Sequence, residues 1–244
     1  MKSLIVTTLV VMVLSNVSTA AEADSAVFSP NARILFQGDS ITDGGRTRNR
    51  DQQIAMGSSY AFIIASKFSA RYAERNLTFF NRGVSGNKIP DLAKRWQTNT
   101  IELKPTVVSI LIGVNDIWHP LIDGAAVSVQ AFEEGYDKLL TETAAALPDT
   151  KIILCEPFIT KGRANSDKWD EWQKHLKPFQ AAVSRLGAKH KAPVVKLQAV
   201  FNEACKRAPA EYWIYDGVHP SCAGHQLIAD EWMRVAAAAW PAKN

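Results

Sequence analysis

The chain has 244 residues and a net charge of +4 at pH 7, from 28 Lys and Arg against 24 Asp and Glu. This charge is small, and the basic residues are scattered with no run that alternates with aromatic residues, so a nucleic-acid partner is not expected. The length suits one domain with a single large core. Three cysteines without C-x-x-C spacing argue against a zinc site or a thioredoxin-type centre.

Residues 1–23 have the composition of a secretory signal peptide. Lys2 supplies a positive charge, and residues 4–14 are almost wholly apolar. Residues 21–23 form an A-x-A cleavage site, and cleavage after Ala20 is the alternative. The apolar run is too short to anchor the chain in a membrane, and no later stretch approaches that length. A buried N-terminal helix is the alternative interpretation. We therefore predict a signal peptide at residues 1–23, one domain over residues 24–244, and a secreted or periplasmic protein.

Strand-like and helical segments alternate through the rest of the chain. Short apolar runs predict five strands, at residues 33–36, 77–80, 107–112, 151–154 and 194–197. Helical periodicity predicts helices at residues 58–74, 90–103, 129–147, 169–189, 201–207 and 224–239. Ser58 is the expected N-cap of the first helix, and Pro178 is expected to kink or divide the fourth. This alternation favours an α/β fold with a parallel sheet covered by helices on both faces.

The three cysteines have different sequence contexts. Cys155 lies in an apolar run, which predicts a buried and unreactive thiol. Cys205 and Cys222 could form a disulfide after export, or both could remain free. The odd count leaves at least one free thiol in either case.

Residues 38–42, Gly-Asp-Ser-Ile-Thr, directly follow the first predicted strand. Gly38 allows the backbone to turn sharply where the strand ends. Ser40 is then delivered to the carboxyl end of a strand, where open α/β sheets place their ligands. Ser40 is therefore a candidate nucleophile, although a turn that caps the next segment explains the same residues.

A serine nucleophile needs a base, a group that orients the base, and hydrogen-bond donors for the oxyanion. Asp216 and His219 lie three residues apart in the loop before the last predicted helix. A turn of that length can hold the carboxylate against Nδ1 and leave Nε2 free to face the serine. A capping histidine is the alternative role for His219. His119, after the third strand, could also line the pocket.

Candidate oxyanion donors follow the second and third strands. Asn115 can aim its side-chain amide at the same point above the sheet as Ser40, unless it only forms a turn. After the second strand, either Gly83 or Gly86 could bring a backbone N–H close to a ligand, or both could simply serve the turn. The backbone N–H of Ser40 is a further donor.

These four segments together resemble the SGNH (GDSL) hydrolase family, and within it the xylan acetylesterase-type branch. The motifs are Gly-Asp-Ser at 38–40, the glycine-containing stretch at 81–87, Gly-x-Asn-Asp at 113–116 and Asp-x-x-His at 216–219. The resemblance extends over essentially the whole of residues 24–244. It implies a three-layer αβα sandwich with a five-stranded parallel sheet of flavodoxin-like type.

The resemblance also implies roles for individual residues. Ser40 would be the nucleophile, and Asp216 and His219 would complete its triad. Ser40, Gly86 and Asn115 would form the oxyanion hole, since the family's glycine is the last of an Asn-x-x-(Val/Ile)-x-Gly stretch. The implied reaction is a two-step acyl transfer that requires no metal ion or organic cofactor.

The substrate is less clearly encoded. Trp118 and Trp213 each lie three residues from a motif residue and could wall the pocket and stack on a sugar, or could be core aromatics. Asp39, beside the serine, is assigned to substrate binding with them. The sequence contains no long apolar lid of the kind that suits a lipase. We therefore expect removal of short acyl groups, above all acetyl, from carbohydrates such as acetylated xylan or xylo-oligosaccharides.

Two other functions fit the same sequence. One is a lysophospholipase or arylesterase that uses the same mechanism, and the other is a non-catalytic carbohydrate-binding protein on this fold. The expected partner is a small-molecule or oligosaccharide ester. Neither a membrane span nor a nucleic-acid partner is expected, and a homo-oligomer is compatible with the sequence.

Overall fold

The computed structural model describes residues 27–48 and 55–241 of the chain. The predicted signal peptide at residues 1–23 lies outside these ranges, so both the peptide and the boundary at residue 24 stay predictions. Within the described ranges, no helix has the length and apolar character needed to cross a membrane.

Five parallel strands form one sheet in the order β2-β1-β3-β4-β5. The strands are β1 Arg33–Gly38, β2 Thr78–Asn81, β3 Val107–Leu111, β4 Lys151–Cys155 and β5 Val194–Val195. This order is that of flavodoxin-like doubly wound sheets. The prediction of a five-stranded parallel sheet is confirmed.

Nine α-helices in the described part of the chain connect and follow these strands. They are α1 Ser40–Asp43, α2 Tyr60–Arg71, α3 Ile89–Asn99, α4 Val114–Asp123, α5 Val129–Ala146, α6 Trp169–Lys189, α7 Leu197–Ala204, α8 Ala210–Trp213 and α9 Cys222–Ala239. Helices α2 and α9 pack together on one face of the sheet, and α5 packs against α3 and α6 on the other. The three-layer αβα arrangement is therefore also confirmed.

Helix α4 has no counterpart in the sequence prediction. Pro120 lies inside it, and a proline within a segment normally indicates a break. The helix forms because Ile117 and Leu121 pack into the core, where they are 0% and 7% exposed. Gly113, with φ of 124°, makes the turn from β3 into its first residue.

Helix α6, strand β5 and the start of α2 also differ from the prediction. Helix α6 is not divided at Pro178, because that residue is exposed while the neighbouring Phe179 is buried in the core. Strand β5 is only two residues long, since the fully buried Leu197 starts α7 instead. The N-cap of α2 is Ser59, not Ser58, and its hydroxyl accepts a hydrogen bond from the backbone N–H of Ala61 at 3.3 Å.

The predicted alternative of a disulfide between Cys205 and Cys222 is wrong, because all three cysteines are free. Cys222 is exposed in the first turn of α9, and Cys205 is half-buried just after α7. Cys155 is fully buried, as predicted, and burial raises the pKa of its thiol to about 12. A thiol with this pKa stays protonated and is a poor nucleophile.

The strand register determines which segments meet at the carboxyl edge of the sheet. Gly38, the last residue of β1, pairs with Leu111, the last residue of β3. Ser40 and Asn115 follow these two residues almost directly. They therefore emerge side by side from adjacent central strands, at the edge where α/β sheets bind ligands.

Candidate active site

Ser40 is placed by a sharp turn between β1 and the short helix α1. A Cβ on Gly38 would lie 2.3 Å from the backbone oxygen of Leu111, so only glycine allows the two strand ends this close. Asp39 is the N-cap of α1, and its Oδ1 accepts a hydrogen bond from Ile41 N–H at 3.0 Å. Ser40 is the first helical residue, so its own N–H has no intrahelical acceptor.

The Ser40 hydroxyl faces His219, although the two residues are 179 positions apart in the chain. The distance from Ser40 Oγ to His219 Nε2 is 2.9 Å, and Nδ1 of the same ring lies 2.7 Å from Asp216 Oδ2. Because the carboxylate accepts a hydrogen bond from Nδ1–H, Nε2 carries the lone pair that accepts from the serine. These are the contacts that a base needs to remove the serine proton.

The loop before α9 holds Asp216 firmly. Its Oδ1 accepts hydrogen bonds from the backbone N–H groups of Val218 and His219, at 2.9 and 2.7 Å. Burial alone would raise the pKa of Asp216, but hydrogen bonds from His219 and Val218 outweigh burial and hold this pKa below its usual value. The side chain is therefore an ionised acceptor when the imidazole is beside it.

The contact between Asp216 and His219 shifts the pKa of the histidine in the opposite direction. The hydrogen bond with Asp216 raises the pKa of His219 above its ordinary value, although burial acts against it. The negative charge of Asp39 adds to the increase. The imidazole is thus a stronger base than a free histidine, which suits proton removal from a hydroxyl.

The structure shows different environments for the two candidate glycines, Gly83 and Gly86. A Cβ on Gly83 would lie 2.3 Å from the backbone nitrogen of Asp43, so this glycine is required for backbone packing. Gly86 has a φ of 79°, and the nearest atom to its added Cβ would be His119 Cε1, at 3.9 Å. Gly86 therefore lies on an open part of the loop, near His119, where its backbone can approach a ligand.

Asn115 lies in the first turn of α4 and is only 4% exposed. One hydrogen of its amide bonds to the backbone oxygen of Asn87, with an Nδ2–O distance of 3.2 Å. This contact fixes the side chain against the loop that carries Gly86 and leaves the second N–H available. Asn115 and Gly86 are thus tied to one another through that loop.

The three residues predicted to bind substrate lie in different environments. Trp118 is half-buried, and its ring centroid lies 5.9 Å from that of His219, so it stands beside the base. Trp213 is 8% exposed and packs on Tyr212 at 4.8 Å and under Arg207 at 5.0 Å. These contacts favour the second of its two predicted roles, that of a core aromatic residue.

Asp39 also differs from its predicted role. It is 1% exposed, and its Oδ2 has no hydrogen-bond partner among residues 27–48 and 55–241. Burial raises its pKa to about 7. The side chain is therefore enclosed, with no open face towards a substrate, and its Oδ1 caps the turn that carries Ser40.

Sequence reasoning missed Tyr215, which lies against the histidine. Its ring stacks on that of His219, with centroids 5.9 Å apart and planes 20° apart, and the residue is 50% exposed. Its position directly before Asp216 is the only sequence signal that could have revealed it. Trp118 and Tyr215 thus both contact the imidazole ring. Within the described ranges, no group of three or more His, Cys, Asp or Glu is arranged to hold a metal ion.

Comparisons with known proteins show the family of the chain. A family model described as the GDSL-like lipase/acylhydrolase family matches residues 36–227. The chain is 32% identical over 214 residues to an acetylxylan esterase from Geobacillus stearothermophilus, covering 85% of this chain and 95% of that protein. A solved structure described as a GDSL-like lipase from Parabacteroides merdae ATCC 43184 has a TM-score of 0.82 at 39% identity, covering 87% of this chain and 98% of that one.

The structure of Axe2, an acetylxylan esterase from Geobacillus stearothermophilus, has a TM-score of 0.75 at 31% identity, covering 86% of this chain and 96% of that one. Solved catalytic mutants of Axe2 replace a serine, an aspartate or a histidine with alanine. The fold and the comparisons together define a carboxylic ester hydrolase. More specifically, the chain belongs to the GDSL-like lipase/acylhydrolase family.

Proposed function

We propose that this protein removes short acyl groups, above all acetyl, from carbohydrates such as acetylated xylan and xylo-oligosaccharides, through an acyl-enzyme on Ser40. The observation that carries the proposal is the continuous hydrogen-bonded line from Ser40 Oγ through His219 to Asp216, with distances of 2.9 and 2.7 Å. The catalytic mutants of Axe2 support it, because they involve the same three residue types.

In the first step, His219 Nε2 takes the proton of Ser40 as Oγ attacks the ester carbonyl. The carbonyl electron pair moves to oxygen and forms a tetrahedral oxyanion. The backbone N–H groups of Ser40 and Gly86 and the free N–H of Asn115 are the donors that would hold this charge. Asp216 steadies the imidazolium that results.

Acylation of Ser40 is completed when the oxyanion collapses and the bond to the leaving alcohol breaks. The imidazolium of His219 donates its proton to that alcohol, which leaves an acetyl ester on Ser40. A water molecule then loses a proton to His219 and attacks the acyl-enzyme by the same route. Acetate leaves and the serine hydroxyl is restored.

The pH dependence follows from the raised pKa of His219. Only the neutral imidazole can accept the serine proton, so protonation abolishes activity. We expect kcat/KM to rise with pH, with its midpoint above 6.5, because Asp216 raises the pKa of His219 above that value. Initial rates with p-nitrophenyl acetate across pH 5 to 9 would measure it, and a midpoint well below 6.5 would contradict the assigned base.

Asn115→Ala is expected to lower kcat by about 10²–10³, the usual effect of removing one oxyanion donor. KM should change little, because the interaction strengthens only in the transition state. Asn115→Asp is a useful second variant, since it keeps the size of the side chain but removes the donor. If Asn115→Ala keeps kcat within tenfold of the wild-type value, the residue does not hold the oxyanion.

The choice of substrate is supported by the acetylxylan esterase relatives and by the aromatic rings beside His219. Half-exposed aromatic rings such as that of Tyr215 provide large contact surfaces for ligands with apolar faces. The decisive experiment measures acetate release from a panel of acetylated polysaccharides and oligosaccharides, with Ser40→Ala as control. A preference for long-chain esters or lysophospholipids over acetylated xylo-oligosaccharides would favour the lysophospholipase or arylesterase alternative.

We also propose that the protein is exported, because residues 1–23 have the pattern of a signal peptide. N-terminal sequencing of the protein purified from its native source should give a mature chain that starts near residue 24. A chain that retains Met1 or Lys2 would exclude export by this route.

A further inference from the structure

A cavity of about 560 Å³ lies at the edge of the sheet where β2 ends. We call it the arginine cavity, because Arg46, Arg48 and Arg82 all line it. Val84 is also part of its wall, only two residues before Gly86. The cavity therefore shares the loop after β2 with the proposed oxyanion hole, although none of the arginines belongs to the line from Ser40 to Asp216.

Among residues 27–48 and 55–241, the lining of this cavity has three arginines and no carboxylate. Burial, followed by the charge of Arg48, lowers the pKa of Arg46 to about 10, and the same two causes lower the pKa of Arg95 to about 10. Arg82 and Arg95 also contribute to the shift at Arg46. Among the described residues, Asp43 makes the one carboxylate ion pair with these four arginines, to Arg48 at 2.8 Å. Like charges held this close normally require a counter-charge.

The arginines also retain unused donors. Arg46 uses Nε to bond the backbone oxygen of Gly83 at 2.9 Å, and its two terminal nitrogens meet no acceptor from residues 27–48 and 55–241. Arg82 bonds the backbone oxygen of Asn81 through one terminal nitrogen at 3.1 Å. Guanidinium groups with free N–H pairs match the paired oxygens of a carboxylate or phosphate.

We propose that the arginine cavity is a binding site for an anionic group with carboxylate or phosphate oxygens, held by Arg46, Arg48 and Arg82. The assignment of its source rests on the proposed function: in a polysaccharide substrate the group is the carboxylate of a uronic acid unit near the acylated sugar. A free phosphate ion presents the same oxygens, so the experiment must separate the two sources.

Isothermal titration of the full chain carrying Ser40→Ala tests binding without turnover. The probes are sodium glucuronate and inorganic phosphate, with ionic strength held constant by NaCl because charge interactions weaken with salt. We expect saturable binding of at least one probe, weakened about tenfold or more by Arg82→Gln or Arg46→Gln. Saturation by glucuronate assigns the site to an acidic sugar, and saturation by phosphate alone assigns it to the free ion.

Arg185→Gln is the matched control. Arg185 is exposed and ion-paired with Glu133, as Arg48 is with Asp43, but it lies on α6 away from the cavity. The Arg185→Gln variant should bind both probes as tightly as the parent protein does. The proposal fails if neither probe binds saturably, or if Arg46→Gln, Arg82→Gln and Arg185→Gln all bind as tightly as the parent protein.

A kinetic comparison relates the site to the substrate. If the ligand is an acidic sugar, acetylated xylo-oligosaccharides that carry glucuronate should have a lower KM than neutral ones, and Arg82→Gln should abolish that difference. Equal KM values for the two substrates in the wild-type enzyme would exclude the acidic-sugar source. Hydrolysis of p-nitrophenyl acetate is measured separately, so a failed esterase assignment can be told apart from a failed anion site.

Discussion

Ser40→Ala is expected to lower kcat by about 10⁶-fold, the order of loss seen when a triad nucleophile is removed. The variant keeps His219, Asp216 and the oxyanion donors, so it should still bind substrate while no acyl-enzyme forms. Any remaining rate would come from binding and oxyanion stabilisation alone. Rates with p-nitrophenyl acetate and with acetylated xylo-oligosaccharides would measure the loss.

Two controls make this result interpretable. Circular dichroism and thermal unfolding should show that Ser40→Ala folds as the wild type does, since the change removes only one hydroxyl. Ser85→Ala provides a matched variant, because Ser85 is exposed on the neighbouring loop and its hydroxyl makes no hydrogen bond to His219. A fluorophosphonate probe should label Ser85→Ala but not Ser40→Ala. Near wild-type esterase activity in a folded Ser40→Ala variant would refute the nucleophile assignment.

Asp216→Asn is expected to lower kcat by about 10⁴-fold, as in triads where the acid becomes an amide. The amide cannot supply a carboxylate to Nδ1–H, so the imidazole loses both its fixed tautomer and the group that stabilises its charged form. The pKa of His219 should fall, because the hydrogen bond with Asp216 is the main cause of its increase. The acidic limb of kcat/KM should therefore move to lower pH in the residual activity.

The chain offers a closely matched control for this variant. Asp137 Oδ1 lies 2.7 Å from His190 Nε2, which is also the distance between Asp216 Oδ2 and His219 Nδ1. Asp137 is on α5 and His190 directly follows α6, so this pair lies away from Ser40. Asp137→Asn should change neither kcat nor the acidic limb. If both variants behave alike, the loss in Asp216→Asn reflects general stability rather than orientation of the base.

The central strands could be predicted because each is an almost uninterrupted apolar run. Observed β3 and β4 start at the predicted residues, Val107 and Lys151, and β2 is shifted by one residue from its predicted start. A central parallel strand is buried on both faces of the sheet, so nearly all of its residues are apolar and the strand can be recognised from sequence. The edge strand β5 is shorter than predicted because its last apolar residue, Leu197, packs as part of a helix.

The residues of the candidate site could also be proposed from sequence. Its chemistry restricts the residue types, and the fold restricts their positions. Ser40 and Asn115 directly follow adjacent strands, and Asp216 is close enough to His219 to be paired by one turn. The glycine was harder, because Gly83 and Gly86 have the same residue type on one loop. The spacing of the family motif favours Gly86, and the backbone contact of Gly83 with the segment after β1 gives the physical reason that Gly83 serves packing instead.

The remaining features depend on long-range packing that no local pattern encodes. Trp213 has a suggestive spacing from Asp216, but its ring packs against Tyr212 and Arg207 instead of the pocket. The arginine cavity likewise draws residues from the segment after α1 and from the end of β2, where they are far apart in sequence and look scattered. Their common environment becomes visible only when the sheet brings those segments together.

The separation of Ser40 and His219 by 179 positions has a consequence for biosynthesis. A nascent chain acquires its hydroxyl early, whereas the imidazole emerges only when about nine-tenths of the polypeptide has been made. Fragments that stop short of residue 219 lack the proposed base. If the proposed triad is correct, ester cleavage requires that the segments around Ser40 and His219 have both been made and have packed together in one structure.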